Sequence, residues 1–381
     1  METKPLCVYF GECGGCVIQH VPYQVQLQNK QKYVIDQCSK NNLVIPENIE
    51  VYSDEPYHYR SRMDFIFFNG GLGLRQKNHF NKIIPIKNCV ISNQTIHVLL
   101  NEVWDWYLQH KNELDIFDFK KLTGTLKYLV IRAAKNTDST TISLILSSDS
   151  KKISQHVGLI GDFASKTTAK NVVVGMVDAQ HDLSTSAECF EVKGSLVMEE
   201  IIDGKKISYF SQSFFQNNTA MAGKMVHHLS SLLQKYNTSE SLFVDLYGGS
   251  GLFGICLAHL FKKIKIIDND VNTIECAKQN IANNNIDNSE VISGDASKIS
   301  NIQAQNTFLL VDPPRTGLHK KVIDQILALK PSVIFYVSCN PEQMAKELRI
   351  FSKYYSINSL AVFDLFPQTN HIEAVAELTL Q

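Results

Sequence analysis

Apolar and polar positions change rhythm twice along this chain. In the last third, short apolar runs at 242–246, 265–268, 291–295, 308–312 and 333–337 alternate with stretches of helical period at 252–260, 271–284 and 320–328, and with another from about Glu342. Strand and helix taking turns in this way predicts a mostly parallel, doubly wound sheet, an α/β architecture. The runs 359–366 and 371–378 read as a two-strand return that closes the domain, and 220–235 as a helix ahead of it. Between about Glu50 and Phe210 the alternation is shorter. Residues 62–68 and 72–75 flank Asn69-Gly70-Gly71, a hairpin signal, and 126–132 and 140–146 make a second pair. Helical period recurs at 99–110, 152–166 and, nearer the N-terminus, 21–39. These patterns predict an antiparallel α+β region and two domains, 1–205 and 206–381.

Composition narrows the class. With 381 residues, 44% hydrophobic and 20% charged, the chain can bury an ample core. No apolar run reaches the length of a membrane span, and the opening Met1-Glu-Thr-Lys-Pro-Leu-Cys7 lacks the apolar centre of a secretory signal. A cytoplasmic protein without a membrane partner is expected, in which nine cysteines serve as ligands, catalytic groups or core residues rather than disulfides. A net charge of −1 argues against bulk attraction to nucleic acid but allows a local basic groove. Arg60, Arg62, Arg75, Lys77, Lys82, Lys87, Lys120, Lys121, Lys127 and Arg132 lie among aromatics. That mixture suits an RNA backbone with stacked bases, and equally an ordinary soluble surface.

Three stretches carry chemistry. In Cys7-x5-Cys13-Gly-Gly-Cys16 the thiols stand too close together around glycines to build a core, so the backbone is expected to fold around something, and a metal or cluster is the natural candidate. Either zinc or iron–sulfur needs a fourth ligand. Cys89, in a turn-like break, is the first choice and Cys38, inside a helical run, the competitor. Secondly, Gly249-Ser-Gly251-Leu-Phe-Gly254 with Asp268 about 20 residues on matches a nucleotide-binding loop and its ribose-gripping acid. A nicotinamide dinucleotide and S-adenosylmethionine both satisfy it. Asp312-Pro-Pro-Arg315, two prolines fixing a carboxylate at a strand end, favours the methyltransferase, because a dehydrogenase has no need of it. Thirdly, the apolar run 334–337 ends in Ser338-Cys339-Asn340-Pro341, which places a thiol at the carboxyl end of a strand and just before a helix. Unpaired N–H groups there are expected to favour the thiolate.

Taken in order, Cys7…Cys13-Gly-Gly-Cys16, Ser213-Phe-Phe-Gln216-Asn, Asp245-Leu-Tyr-Gly-Gly-Ser-Gly251, Asp312-Pro-Pro-Arg-Thr-Gly317, Ser338-Cys339-Asn340 and Asp364-Leu-Phe-Pro367…His371-Ile-Glu373 resemble the RNA (uracil-5-)-methyltransferases. Specifically, they resemble the 23S ribosomal RNA branch that carries a [4Fe–4S] cluster. The likeness spans the whole chain. It departs at Gly248, where many relatives have cysteine, and at Asp268, where glutamate is usual. With the cluster motif starting at Cys7, the small β-barrel TRAM domain that some members carry in front is expected to be absent, as in the branch acting on the 747-type uridine. The resemblance implies a Rossmann-like methyltransferase domain and a cluster held by Cys7, Cys13, Cys16 and Cys89. It implies Cys339 as nucleophile toward a flipped-out uridine and Glu373 as base; on sequence grounds alone His371, two residues away on the same strand face, is a rival base. S-adenosylmethionine is expected against Gln216, Tyr247, Gly249, Gly251, Asp268, Asp295 and Asp312, with Asp312 orienting base or cofactor. Arg315 would meet a uracil carbonyl or a phosphate. Three alternatives stand beside the 747-type uridine of 23S ribosomal RNA: the same chemistry on another ribosomal RNA uridine, the same chemistry on a tRNA uridine, and a non-catalytic cluster-bearing RNA-binding factor. No obligatory protein partner is expected.

Overall fold

Helix α1 (Tyr23–Lys40) opens the regular structure, directly after Pro22, and is followed by the short strand β1 (Glu50–Tyr52). The structure is a computed structural model that describes residues 3–296, 299, 302 and 306–381. Two compact units emerge, and both are discontinuous in sequence. The first comprises Met1–Val21, Glu55–Glu200 and Phe210–Thr219; the second comprises Pro22–Asp54, Ile201–Tyr209 and Ala220–Gln381. A single cut between 205 and 206 therefore does not describe the division. The reason is β1, which pairs in parallel with a strand more than 300 residues away, Glu50 facing Ala361. Periodicity reveals an apolar face but not the partner that will cover it.

The first unit is built on strands β2 (Arg62–Phe68), β3 (Gly71–Gln76) and β4 (His79–Pro85), helix α2 (Gln94–His110), and strands β5 (Leu126–Ala133) and β6 (Thr140–Ser147). Helix α3 (Ile153–Lys166) and strands β7 (Asn171–Val177) and β8 (Glu188–Lys193) complete it. The seven strands lie in the order β4-β3-β2-β5-β6-β7-β8. The hairpin expected at Asn69-Gly70-Gly71 forms, Phe68 pairing with Gly71. The sheet is mixed rather than antiparallel: β6 and β7 run parallel, because the chain crosses between them through α3. Ile96, Leu100, Val103 and Trp104 of α2 and Ile160 and Phe163 of α3 bury themselves with Phe65, Leu129, Ile131 and Leu144 of the sheet. Strands β9 (Val197–Ile202) and β10 (Lys205–Phe210) form a separate two-stranded sheet.

The second unit continues through α4 (Thr219–Leu233), β11 (Leu242–Leu246), α5 (Leu252–Cys256), β12 (Lys263–Asp268), α6 (Val271–Asn283), β13 (Ser289–Ser293) and β14 (Thr307–Val311). It ends with α7 (Lys320–Leu329), β15 (Val333–Ser338), α8 (Pro341–Phe351), β16 (Tyr355–Phe363) and β17 (Glu373–Leu380). Eight strands run β1-β16-β17-β15-β14-β11-β12-β13. The strands from β11 to β15 are parallel, and β17 inserts antiparallel between β15 and β16. Strand order reverses at β11, which makes the carboxyl ends of β11, β12 and β14 the natural place for a ligand. Val34 and Cys38 of α1, Val322 and Ile326 of α7, and Met344 and Leu348 of α8 pack with Val244, Leu309, Ile334 and Val362 of the strands. Among the described residues no helix is long and apolar enough to cross a membrane.

A buried ion pair fixes α1 to the segment leading into β17. The Lys30 ammonium, 4% exposed, donates to Asp364 Oδ1 at 2.6 Å and to the Phe366 carbonyl at 3.1 Å. The Tyr23 hydroxyl donates to Asp364 Oδ2 at 2.9 Å, and Gln26 exchanges hydrogen bonds with Gln368. Removing one partner strands the other charge in the interior. Lys30→Met should therefore lower stability by about 3–5 kcal/mol, whereas pairing it with Asp364→Leu should recover much of the loss. Urea unfolding of the three proteins checks this; a single variant as stable as wild type would show the pair to be dispensable.

Candidate active site

Strand β15 ends because Pro341, at the first position of α8, has no amide to offer the sheet, while the Asn340 side chain caps α8 by accepting from Gln343 N at 3.4 Å. The last pair of the β15–β17 ladder joins Ser338 to Ala374. Antiparallel pairing makes Cys339 and Glu373 the next positions beyond it, so two residues far apart in sequence meet at one sheet end. Asp312, directly after β14, and Arg315, three residues on, complete the group. Arg315 Nη2 donates to His371 Nδ1 at 2.7 Å, and its backbone carbonyl accepts from Asn340 Nδ2 at 2.9 Å.

The electrostatics of this group run against the expectation for a thiol beside a helix N-terminus. Burial, then the carboxyls of Glu373 and Asp312, push Cys339 up to about 11, and Arg315 opposes them. Burial and the Asp245 carboxyl push Asp312 up to about 7. Glu373, 5% exposed, is held well above the usual carboxylate range by burial and by Asp312, again against Arg315. His371 does not share the position of Glu373. Strand β17 begins at Glu373, so the alternation does not extend back to His371, which is exposed and turned to Arg315 and the edge of Phe366.

Between the ends of β11, β12 and β13 lies a cavity of about 310 Å³, lined by Tyr247, Asp268, Asn269, Asp295, His319 and Lys321 among others. The Asp268 carboxylate accepts the amides of Gly249 and Asp270, each at 2.9 Å. It thereby joins the glycine turn to the start of α6. Gly251 takes φ +86°, and a Cβ there would press on Ile266 and Ile255, so the turn and its packing both require glycine. Beneath the turn, fully buried Asp245 accepts the Gly254 amide at 2.8 Å, and burial raises its carboxyl to about 7. The other oxygen, Oδ1, has no hydrogen-bond partner among the described residues.

In the first unit, Cys7, Cys13, Cys16 and Cys89 line one cavity of about 520 Å³. The loop carrying the first three is seated on β3, where Gly14 N donates to the Arg75 carbonyl at 3.0 Å and Cys13 bridges to Gln76. Burial pushes Cys16 up to about 12, and the thiols of Cys89, Cys7 and Cys13 add to the effect while Gln19 opposes it. Among the described residues, no group of three or more His, Cys, Asp or Glu side chains stands at the spacing of a metal site. Cys38 sits fully buried in the core of the second unit, as its helical period predicts.

A family model described as tRNA (uracil-5-)-methyltransferase matches residues 22–380. The chain belongs to this family. An uncharacterized RNA methyltransferase of Caldanaerobacter subterraneus is 31% identical over 99% of this chain and 85% of its own length. The tRNA (uracil(54)-C(5))-methyltransferase of Pyrococcus abyssi is 29% identical over 99% of the chain and 86% of its own. The crystal structure of a Pyrococcus abyssi tRNA (uracil-54, C5)-methyltransferase in complex with S-adenosyl-L-homocysteine superposes with a TM-score of 0.79 at 26% identity. That match covers all of this chain and 88% of the other. Membership of the uracil-5-methyltransferases makes the chain an S-adenosylmethionine-dependent RNA methyltransferase of the α/β fold.

For a uracil-5-methyltransferase the sequence-derived residues fall into three places. Cys339, Glu373 and Asp312 gather at the ends of β14 and β15; Asp312 does not line the cavity beside β12. Tyr247, Asp268 and Asp295 do line it, and Gly249 reaches it through Asp268. Gln216 is buried in the segment Phe210–Thr219 of the first unit. Sequence reasoning missed His319 and Lys321, whose signal is their position at the start of α7, where His319 caps the helix. It also gave no role to Asp245, an acid three residues before the glycine turn that starts at Gly248.

Proposed function

We propose that this protein methylates carbon 5 of a uridine flipped out of its RNA, with Cys339 as the attacking group and Glu373 as the base. The convergence of Cys339, Glu373, Asp312 and Arg315 at one sheet end supports this reading. Carbon 5 of uracil is too weak a nucleophile to take a methyl group unaided. As thiolate, Cys339 adds to carbon 6, and the electron pair of the ring double bond moves out as an enolate with carbanion character at carbon 5. The bound S-adenosylmethionine supplies the methyl group. Glu373 then takes the proton from carbon 5, the bond between carbon 6 and sulfur breaks, and the ring double bond re-forms with Cys339 returned as thiolate. The raised pKa of Glu373 makes it a stronger proton acceptor than an ordinary carboxylate. Arg315 opposes the two carboxyls and favours the thiolate. Tyr247, Asp268, Asp295 and the Gly249–Gly251 turn form the cofactor site within the second unit.

Two RNAs have support. The motif set resembles the 23S ribosomal RNA branch and favours a 747-type uridine, while the Pyrococcus abyssi relative, named for uracil 54 of tRNA, favours a tRNA uridine. Mass-spectrometric mapping of 5-methyluridine in both RNAs from a deletion strain decides between them. Loss from neither would end the reading, in favour of a non-catalytic cluster-bearing RNA-binding factor.

Cys7, Cys13, Cys16 and Cys89 are the ligands we propose for a [4Fe–4S] cluster. Four thiols, Cys13 buried and Cys7, Cys16 and Cys89 half-buried, line one cavity, and an all-cysteine ligand set suits an iron–sulfur cluster. Bound there, it would tie the N-terminal loop to the loop holding Cys89; methyl transfer itself needs no electrons. Protein purified without oxygen should be brown and carry about four irons per chain. Colourless protein with stoichiometric zinc would show the metal to be the other one.

A further inference from the structure

We propose that Glu347 is a positioning residue whose buried carboxylate fixes the loop 312–318 so that Arg315 stands against Cys339. This rests on the reading of Cys339 as the attacking group. Glu347, 2% exposed, lies on the inner face of α8. Its two oxygens accept the Leu318 amide at 3.0 and 3.2 Å, Oε1 accepts Gln343 Nε2 at 2.7 Å, and Oε2 accepts the Tyr336 hydroxyl from β15. Gly317, at φ +81°, lies so close that a Cβ would stand 2.0 Å from Glu347 Oε1. The turn can press onto the carboxylate only because this residue is glycine.

The same turn is held a second time. Gly317 N donates to the Pro314 carbonyl at 2.8 Å, and Asn340 Nδ2 grips the Arg315 carbonyl at 2.9 Å. Arg315 is thus anchored on one side by the residue that follows Cys339 and on the other by a carboxylate two turns along α8. Thiol and guanidinium are both referenced to one helix. The charged groups that act on Cys339 are Glu373, Asp312 and Arg315, and the guanidinium alone among these three favours the thiolate. Loosening its loop should therefore remove the one contribution that lowers the thiol pKa. A glutamine at 347 would turn one acceptor oxygen into a donor facing donors, which keeps the shape but breaks the anchor.

The test is the pH profile of Cys339 alkylation by iodoacetamide in the full-length protein, read on the Cys339 peptide by mass spectrometry. Arg315→Gln sets the reference shift. Glu347→Gln should move the profile upward in the same direction, by about one unit. That makes reaction roughly tenfold slower at any fixed pH below the midpoint. Its methyl transfer should show a lowered kcat with an unchanged KM for S-adenosylmethionine. Gln343→Met, which removes one donor at the edge of the network, should give a smaller shift of the same sign and serves if Glu347→Gln folds poorly. A folded Glu347→Gln protein whose Cys339 profile matches wild type would overturn the proposal and leave Glu347 a purely structural acid. A wild-type protein that transfers no methyl group would instead count against the proposed function, and the alkylation comparison would stand on its own.

Discussion

Replacing Cys339 by alanine should abolish methyl transfer, by roughly four orders of magnitude or more, while leaving cofactor binding intact. The two halves of this expectation come from different places in the second unit. The thiol stands at the end of β15 with Glu373 and Asp312, whereas the cavity holding Tyr247, Asp268 and Asp295 lies at the ends of β11, β12 and β13. Without the thiol, the proposed route has no group to raise the nucleophilicity of carbon 5. Single-turnover transfer from labelled S-adenosylmethionine measures the first half, and calorimetric titration with S-adenosylhomocysteine the second. Near wild-type transfer by the alanine variant would end the covalent mechanism. Lost cofactor binding would show that the two sites are not separable.

Much of this arrangement is legible in the sequence, because local rules wrote it. Strand–helix alternation after 240 gives the parallel sheet, the proline at 341 gives the end of β15, and Asn69-Gly70-Gly71 gives its hairpin. What is not legible depends on partners distant in the chain. Nothing local in Glu50–Tyr52 announces an edge strand that pairs beside Ala361, and three residues are too few to show a period. The parallel pairing of β6 and β7 follows from where α3 carries the chain, which alternation alone does not reveal. Electrostatics are harder still. A cysteine before a helix suggests a lowered pKa, but burial, joined by two carboxyls brought in by β14 and β17, reverses the sign. Nothing local in the chain announces that folding places Lys30 and Asp364 together in the interior.

Glu373→Gln should separate the two halves of the reaction. If Cys339 attacks first and Glu373 acts only after methyl transfer, the glutamine variant can still add to the base and methylate it. It cannot then release it, because glutamine keeps the shape of the side chain and loses its basicity. The saturated adduct joining Cys339 to the methylated uracil should accumulate as a protein–RNA band on a denaturing gel. That band should depend on S-adenosylmethionine and vanish when Cys339→Ala is added. The wild-type enzyme should approach the same behaviour on the acid side. A carboxyl whose pKa is raised is a competent base only above that raised value, so release should slow as pH falls and the Glu373–Asp312 pair takes up protons. His371→Ala, which removes an exposed ring turned to Arg315, should trap nothing. Normal turnover by Glu373→Gln, or trapping by His371→Ala in its place, would move the base to another residue; the adduct itself would still report on Cys339.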